Sequence, residues 1–281
     1  GNGFGYNELY LTQKDGSLRK VLRHGLQEFP SIRSRFVATL YNKVDPGNIT
    51  HVFLSAYGTY RSDGQVNWHT MYRLLDGEPY FENIPGPWNR HAKVVQISVA
   101  DWNQDGRDDL IVLHKNNQTM FLEQQQNGTF RELTYINNYR TNRLRSARVA
   151  DIDLDGRPDL IVTAPRFRKK GTREWFNASL SIFKGIESPE RFDFSSFWFR
   201  ANLPFEAPDI EILDVNSDGI PDIYVILRDE SEDTYCGERV PDELKSDRLD
   251  NWTAPMDGAK DMLFIGKGFA ANRTERFESI E

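Results

Sequence analysis

The sequence predicts an all-β chain of repeated four-stranded antiparallel units, and three observations carry that prediction. First, Asp101–Val112, Asp151–Val162 and Asp214–Val225 align without gaps, each with the pattern D-x-[DN]-x-D-G-x-x-D followed by three strand-forming residues. Second, apolar alternation flanks these segments, as in Val95, Ile97 and Val99 before the first and Ile210 and Ile212 before the last. Third, amphipathic helical periodicity longer than two turns is absent outside residues 228–261, while eleven Tyr, eighteen Phe and six Trp suit half-buried strands. The first aspartates of the three segments lie 50 and 63 residues apart, a spacing that fits the blades of a β-propeller.

Taken in order, the chain opens with a half blade over residues 7–24, an outer hairpin of Asn7–Thr12 and Gly16–Val21. A first blade over 36–85 holds a degenerate loop. Aligning His51–Leu54 with Asp109–Val112 puts Lys43, Asp45 and Gly47 where the intact loops carry acids or amides. A lysine at the first position places a cation where a metal needs a carboxylate, so this loop binds none. Blades follow over 94–135, 146–195 and 209–281. Their second hairpins pair Thr119–Glu123 with Thr129–Leu133 around Asn127-Gly128, Leu180–Lys184 with Arg191–Phe194, and Met262–Gly266 with Arg276–Ser279. The last blade carries the long insertion 228–261. The expectation is one partial propeller domain over 1–281, with about four and a half blades. A seven-bladed ring needs on the order of 400 residues, so the chain is expected to form part of a larger ring or assembly.

Asparagine marks the compartment better than cysteine. Six N-x-[ST] sequons occur, at Asn48, Asn117, Asn127, Asn177, Asn251 and Asn272. Roughly two would arise by chance, so secretion and N-glycosylation are expected, outside the cell or on its surface. The single Cys236 excludes an internal disulfide framework. No run of eighteen apolar residues is present, so no helical membrane span is expected. A formal net charge of −7 argues against nucleic acid as partner.

The spacing in the three loops has a physical reason. A hard cation such as calcium takes about six to eight oxygens at roughly 2.3–2.6 Å. Side chains at positions 1, 3 and 5 converge if the chain turns sharply, and Gly at position 6 permits the turn. Position 7 offers its carbonyl and position 9 closes the cage. The expected ligands are Asp101, Asn103, Asp105, the Arg107 carbonyl and Asp109; Asp151, Asp153, Asp155, the Arg157 carbonyl and Asp159; and Asp214, Asn216, Asp218, the Ile220 carbonyl and Asp222. Ordinary turns also use Asp, Asn and Gly, but they do not need four acids or amides within nine residues. An EF-hand opens alike, yet position 12 is Val112, Val162 and Val225 rather than Glu, and the flanks are strands.

This pattern resembles the FG-GAP/VCBS repeat family, whose best-known members are the integrin α-subunit propellers, over roughly residues 36–281. The resemblance implies three calcium ions, each between a blade's first two strands, and a role in adhesion or extracellular ligand binding. The degenerate first loop, the long insertion and the small number of blades depart from the family.

Propeller connectivity places the loops leading into each blade opposite the metal hairpins. These loops are basic, with Arg33, Arg35, Arg90, Lys93, Arg140, Arg143, Arg145, Arg148 and Arg200, joined by Arg166, Arg168, Lys169, Lys170 and Arg173. A basic face of this kind suits an anionic glycan or another subunit's acidic surface, although residues 228–261 add eleven acids against five bases on that side. For catalysis the sequence offers little. His24, His51, His69, His91 and His114 are scattered, without HExxH, and His51 is read as the start of a strand. The chain is therefore expected not to be an enzyme; a carbohydrate-active lyase or hydrolase, or a glycan-binding propeller, is the alternative.

Overall fold

Side chains on a strand alternate between two faces, so a strand buried at every position is covered on both. Asp109–His114, Thr119–Gln124 and Ala178–Phe183 behave in this way: every residue of each is buried. The computed structural model describes residues 9–22, 34–42, 48–56, 69–75, 80–86, 94–114, 119–133, 144–165, 167–168, 175–187, 191–228, 261–267 and 277–280. Every regular element among the described residues is a β-strand. The chain divides into two compact units, Gly1–Arg143 with Glu187–Arg191, and Leu144–Ile186 with Phe192–Glu281.

In the first unit, β1 (Leu9–Thr12) and β2 (Leu18–Val21) form a hairpin. The first sheet runs β3 (Ser34–Asn42), β4 (Asn48–Ala56), β5 (His69–Leu74), β6 (Phe81–Ile84), and the second runs β7 (Val94–Ala100), β8 (Asp109–His114), β9 (Thr119–Gln124), β10 (Phe130–Glu132). Each is an antiparallel meander in chain order, the form of a propeller blade. The first strands, β3 and β7, are neighbours. Alternation along β4 shows how the sheets are layered. Phe53 enters a core with Leu40, Met71, Leu110, Val112, Met120 and Leu122. Val52 and Leu54 point the other way, to Tyr72 and Phe81, where Leu9 of the β1–β2 hairpin also packs. Each fully buried Leu or Phe of this kind contributes about 1.5–3 kcal/mol.

The second unit repeats the scheme. Its first sheet, the third of the chain, runs β11 (Ser146–Ala150), β12 (Asp159–Ala164), β15 (Ala178–Phe183), β16 (Phe199–Leu203), with a two-residue hairpin of β13 (Phe167–Arg168) and β14 (Trp175–Phe176) set between β12 and β15. The fourth sheet runs β17 (Glu206–Leu213), β18 (Asp222–Arg228), β19 (Met262–Gly266), β20 (Phe277–Ile280). Ile161, Leu180, Ile182, Ile210, Ile223 and Val225 build the core between these two sheets. The fold is all-β, made of four-stranded antiparallel blades, as expected.

One strand lies elsewhere than expected. The outer strand of the third sheet is Phe199–Leu203 rather than Arg191–Phe194, which makes only the isolated bridge Gly185–Phe192. Asp193 accepts the Ser195 amide at 2.8 Å and turns the chain there. Phe192 is fully buried and Phe194 stacks on Phe183, with centroids 5.0 Å apart, so these aromatics serve packing and not a ladder. The degenerate loop 43–47 and most of the insertion lie outside the described residues.

Candidate metal centres

The turns β7–β8, β11–β12 and β17–β18 share one backbone path. Position 4 is left-handed in all three, at Gln104 (φ 57°), Leu154 (φ 57°) and Ser217 (φ 59°). Position 6 is left-handed too, at Gly106 (85°), Gly156 (87°) and Gly219 (81°). At Gly156 a Cβ would meet nothing within 4 Å, so glycine is there for its conformation and not for space. These two reversals aim successive amides inward. The position-1 carboxylate accepts the amides of positions 5 and 6: Asp105 and Gly106 on Asp101 at 3.0 and 3.1 Å, Asp155 and Gly156 on Asp151 at 3.0 and 2.9 Å, Asp218 and Gly219 on Asp214 at 3.1 and 2.9 Å. Oδ1 of Asn103, Asp153 and Asn216 accepts the same position-5 amide, at 3.1, 3.3 and 3.1 Å. The position-5 carboxylate accepts the amides of Arg107, Arg157 and Ile220 at 3.0, 2.9 and 2.8 Å. Each oxygen has two lone pairs, so these bonds orient the cage and leave acceptor capacity toward a cation.

The ninth-position acids sit deepest. Asp109, Asp159 and Asp222 are fully buried, and Oδ1 of each accepts an amide at the end of the third strand or just past it: Gln124 at 2.8 Å, Gly185 at 2.7 Å and Gly266 at 2.8 Å. The close approach explains two glycines. A Cβ on Gly185 would lie 2.3 Å from the Pro158 carbonyl oxygen, and one on Gly266 2.5 Å from that of Pro221. Oδ2 accepts the position-2 amide in two loops, from Ile152 at 3.1 Å and Val215 at 2.9 Å. In the first loop Oδ2 of Asp109 is buried without a hydrogen-bond partner.

Burial raises two of these acids. Asp109 is pushed up to about 8, by desolvation first and then by the neighbouring charges of Asp105, Glu123 and Asp101. Asp159 is pushed up to about 7, by desolvation and by Asp153 and Asp155. Desolvation comes first in both, and the neighbouring acids add to it. Among the described residues, one set of acids brings ligand oxygens within 4.8 Å of one another: Asp151, Asp153 and Asp159. In the other two loops Asn103 and Asn216 hold the place of Asp153. The donors are all oxygen, which fits a hard divalent cation.

Three side chains other than the expected ligands take part. Asp108, at position 8, accepts the Tyr41 amide of β3 at 2.7 Å and donates its own amide to the Tyr41 carbonyl at 3.1 Å. Glu123 pairs with Arg131 at 2.9 Å and Arg191 at 3.2 Å. Lys184 reaches Asp153 at 2.7 Å and Asp155 at 2.9 Å. The last two could have been found by aligning the third strands: Glu123, Lys184 and Ile265 each precede the residue whose amide meets the ninth-position acid. The arginines of position 7 turn inward too, Arg107 to Asp105 and Arg157 to Asp155.

The first two loops and the strands between them decide the comparison with known proteins. Residues 101–162 match an FG-GAP-like repeat. The FG-GAP-like stretch begins at the first ligand of one loop and ends in the strand after the next, so it contains all of Asp101–Asp109 and Asp151–Asp159. No curated protein matches the chain by sequence. Among solved structures, the intramolecular trans-sialidase from Ruminococcus gnavus in complex with oseltamivir carboxylate is similar at 12% identity and a TM-score of 0.38, over 79% of this chain and 53% of that one. The chain spans about half the length of that structure.

Around the FG-GAP-like loops, other expected sites are scattered. Asn127 and Asn177 are exposed, and Oδ1 of Asn127 accepts the Thr129 amide at 3.0 Å. Asn48 begins β4, while Asn117, Asn251, Asn272 and Cys236 lie outside the described residues. Of the basic set, Arg145 pairs with Glu206 at 3.5 Å, and Arg148 pairs with Asp209 and Glu211 at 2.9 Å each. Arg200 lies over the Phe197 ring, 4.9 Å from its centroid. Arg168 is in β13; Arg140, Arg143, Arg166, Lys169, Lys170 and Arg173 lie outside the described residues. His51 does more than start a strand. It is buried within β4, where Nε2 meets the Gly128 carbonyl at 3.0 Å and Nδ1 meets the Gln124 amide group at 3.1 Å. No helix among the described residues is long and apolar enough to cross a membrane.

Proposed function

We propose that this chain is a calcium-binding propeller module of an extracellular or cell-surface structure, with an adhesive or assembly role. The observation that carries the reading is the convergence of Asp151, Asp153 and Asp159, with ligand oxygens inside 4.8 Å, on a loop path that recurs three times. The unpartnered, fully buried Oδ2 of Asp109 supports it, since such an atom costs about 1–3 kcal/mol unless something positive meets it. Calcium would be held by the side chains of positions 1, 3, 5 and 9 and the carbonyl of position 7, and would supply fixed positive charge rather than chemistry. Bound at ten times its dissociation constant, each ion would add about 1.4 kcal/mol of stability. The FG-GAP-like match and the exposed sequons at Asn127 and Asn177 support the extracellular part.

Elemental analysis, paired with thermal melting in calcium and in chelator, tests the metal reading. About three ions per chain and a clear fall in Tm on chelation are expected. No bound calcium and an unchanged melt would reduce the loops to turns. The partner is proposed to be an anionic glycan or an acidic subunit surface, met by the basic residues of 140–173. Salt-sensitive retention on a sulfated-glycan column is expected, and passage without retention would remove that part.

A further inference from the structure

The third strands differ at one register position. One step beyond the pairs Leu110–Leu122, Leu160–Phe183 and Ile223–Phe264, Glu123 stands across from Asp109, Lys184 across from Asp159 and Ile265 across from Asp222. Only Lys184 is a cation. Its ammonium lies 2.7 Å from Asp153 Oδ2 and 2.9 Å from Asp155 Oδ2, close to the roughly 2.3–2.6 Å at which calcium holds oxygen. Charge makes sense of its position. The loops 101–109 and 214–222 each offer three ligand carboxylates, and 151–159 offers a fourth because Asp153 replaces Asn. Lys184 offsets that fourth charge.

We propose that Lys184 is a resident counter-ion of the loop 151–159, and that it competes with the divalent ion for Asp153 and Asp155. The inference rests on the calcium reading above. A divalent ion entering this cage must displace an ammonium from two of its oxygens, whereas in the other two loops the position-5 oxygen meets the neutral amide of Asn103 or Asn216, joined in the first by Arg107. The loop 151–159 is therefore the weakest and most readily exchanged of the three, although it offers the most ligand carboxylates. Without calcium it is the loop that holds its shape best, because its excess charge is already met from within the chain.

Calorimetric titration of calcium into the full chain tests this, with Asp159→Asn identifying the heat that belongs to this loop. Wild type is expected to show two tighter sites and one weaker. Lys184→Met should tighten the weak site about tenfold, since one competing charge is gone, while Lys184→Arg should leave it weak. In chelator, Lys184→Met should melt below wild type, and calcium should restore it. Lys184→Gln, which keeps a polar head without charge, must tighten the same site and guards against a packing defect in the methionine variant. If two loops titrate and neither uncharged variant changes the third, the role of Lys184 is overturned and the calcium reading stands. If no loop takes calcium, both fall together.

Discussion

The hairpins β3–β4 and β7–β8 lie in one unit, side by side, and solve the same position in opposite ways. At the head of β8, Asp109 is a buried carboxyl whose Oδ2 has no hydrogen-bond partner and which burial pushes up to about 8. At the aligned place in β4, His51 is a buried imidazole that burial pulls down to about 4. Neutral, with the proton on Nε2, it donates to the Gly128 carbonyl, accepts from the Gln124 amide at Nδ1 and sets Phe130 edge-on at 5.1 Å. Gly128, Gln124 and Phe130 all belong to the β9–β10 hairpin of the second sheet. The carboxylate asks for an external cation, whereas the histidine finds everything it needs in the next sheet. A repeat can thus give up its buried acid without giving up its hairpin, provided a neutral group replaces the acid and reaches across.

Acid offers the largest effect that could break this contrast. His51 has a folded value near 4 against about 6.5 in an open chain, so the unfolded state takes up the proton first. Its contribution is whole above about pH 6.5 and is lost as pH falls through 4, a change of up to about 3 kcal/mol. Urea melts in chelator between pH 7 and 4.5 should show wild type losing stability more steeply than His51→Gln. Parallel losses would put the acid sensitivity elsewhere. Next comes the metal itself. Asp109→Asn should weaken calcium at that loop about a hundredfold, or about 2.7 kcal/mol, and lower the stoichiometry by one. The reverse exchange, His51→Asp, should gain no ion, because Lys43 stands at the first ligand place; calorimetry showing a fourth site would contradict the contrast. The smallest effects belong to the shared backbone. Leu154 is 53% exposed and left-handed, so Leu154→Asn should stabilise by about 0.5 kcal/mol, whereas Gly156→Ala should cost about 1 kcal/mol, both read from chemical melts.

The repeat made the blades and the loops legible in the sequence. An Asp, Asn or Gly at fixed spacing between alternating apolar runs constrains the backbone strongly, and all three turns follow one path. The outer strand of the third sheet was not legible. Arg191–Phe194 has the alternation of a strand, but Phe192 and Phe194 spend it on the Phe183 stack, and alternation alone cannot tell a ladder from a plug. Within the site, Lys184 and Asp108 escaped for a related reason. Each lies outside the repeated ligand pattern and acts through a partner more than twenty residues away, which only strand pairing brings near. His51 escaped because its partners, Gln124 and Gly128, lie over seventy residues on in the next sheet.

Asp108 also sets a limit on how these repeats can be recombined. At the same place the other two loops have Pro158 and Pro221, which lack the amide that Asp108 gives to Tyr41 and the carboxylate that receives the amide of Tyr41 in return. Replacing Asp101–Asp109 with Asp151–Asp159, identical at five of nine positions, would keep every expected ligand type except one amide. It would nonetheless cut both links to the neighbouring sheet. The blades are copies in their loop path and originals at their seams, so a segment moved from one to another would arrive with its turn intact and its attachment missing.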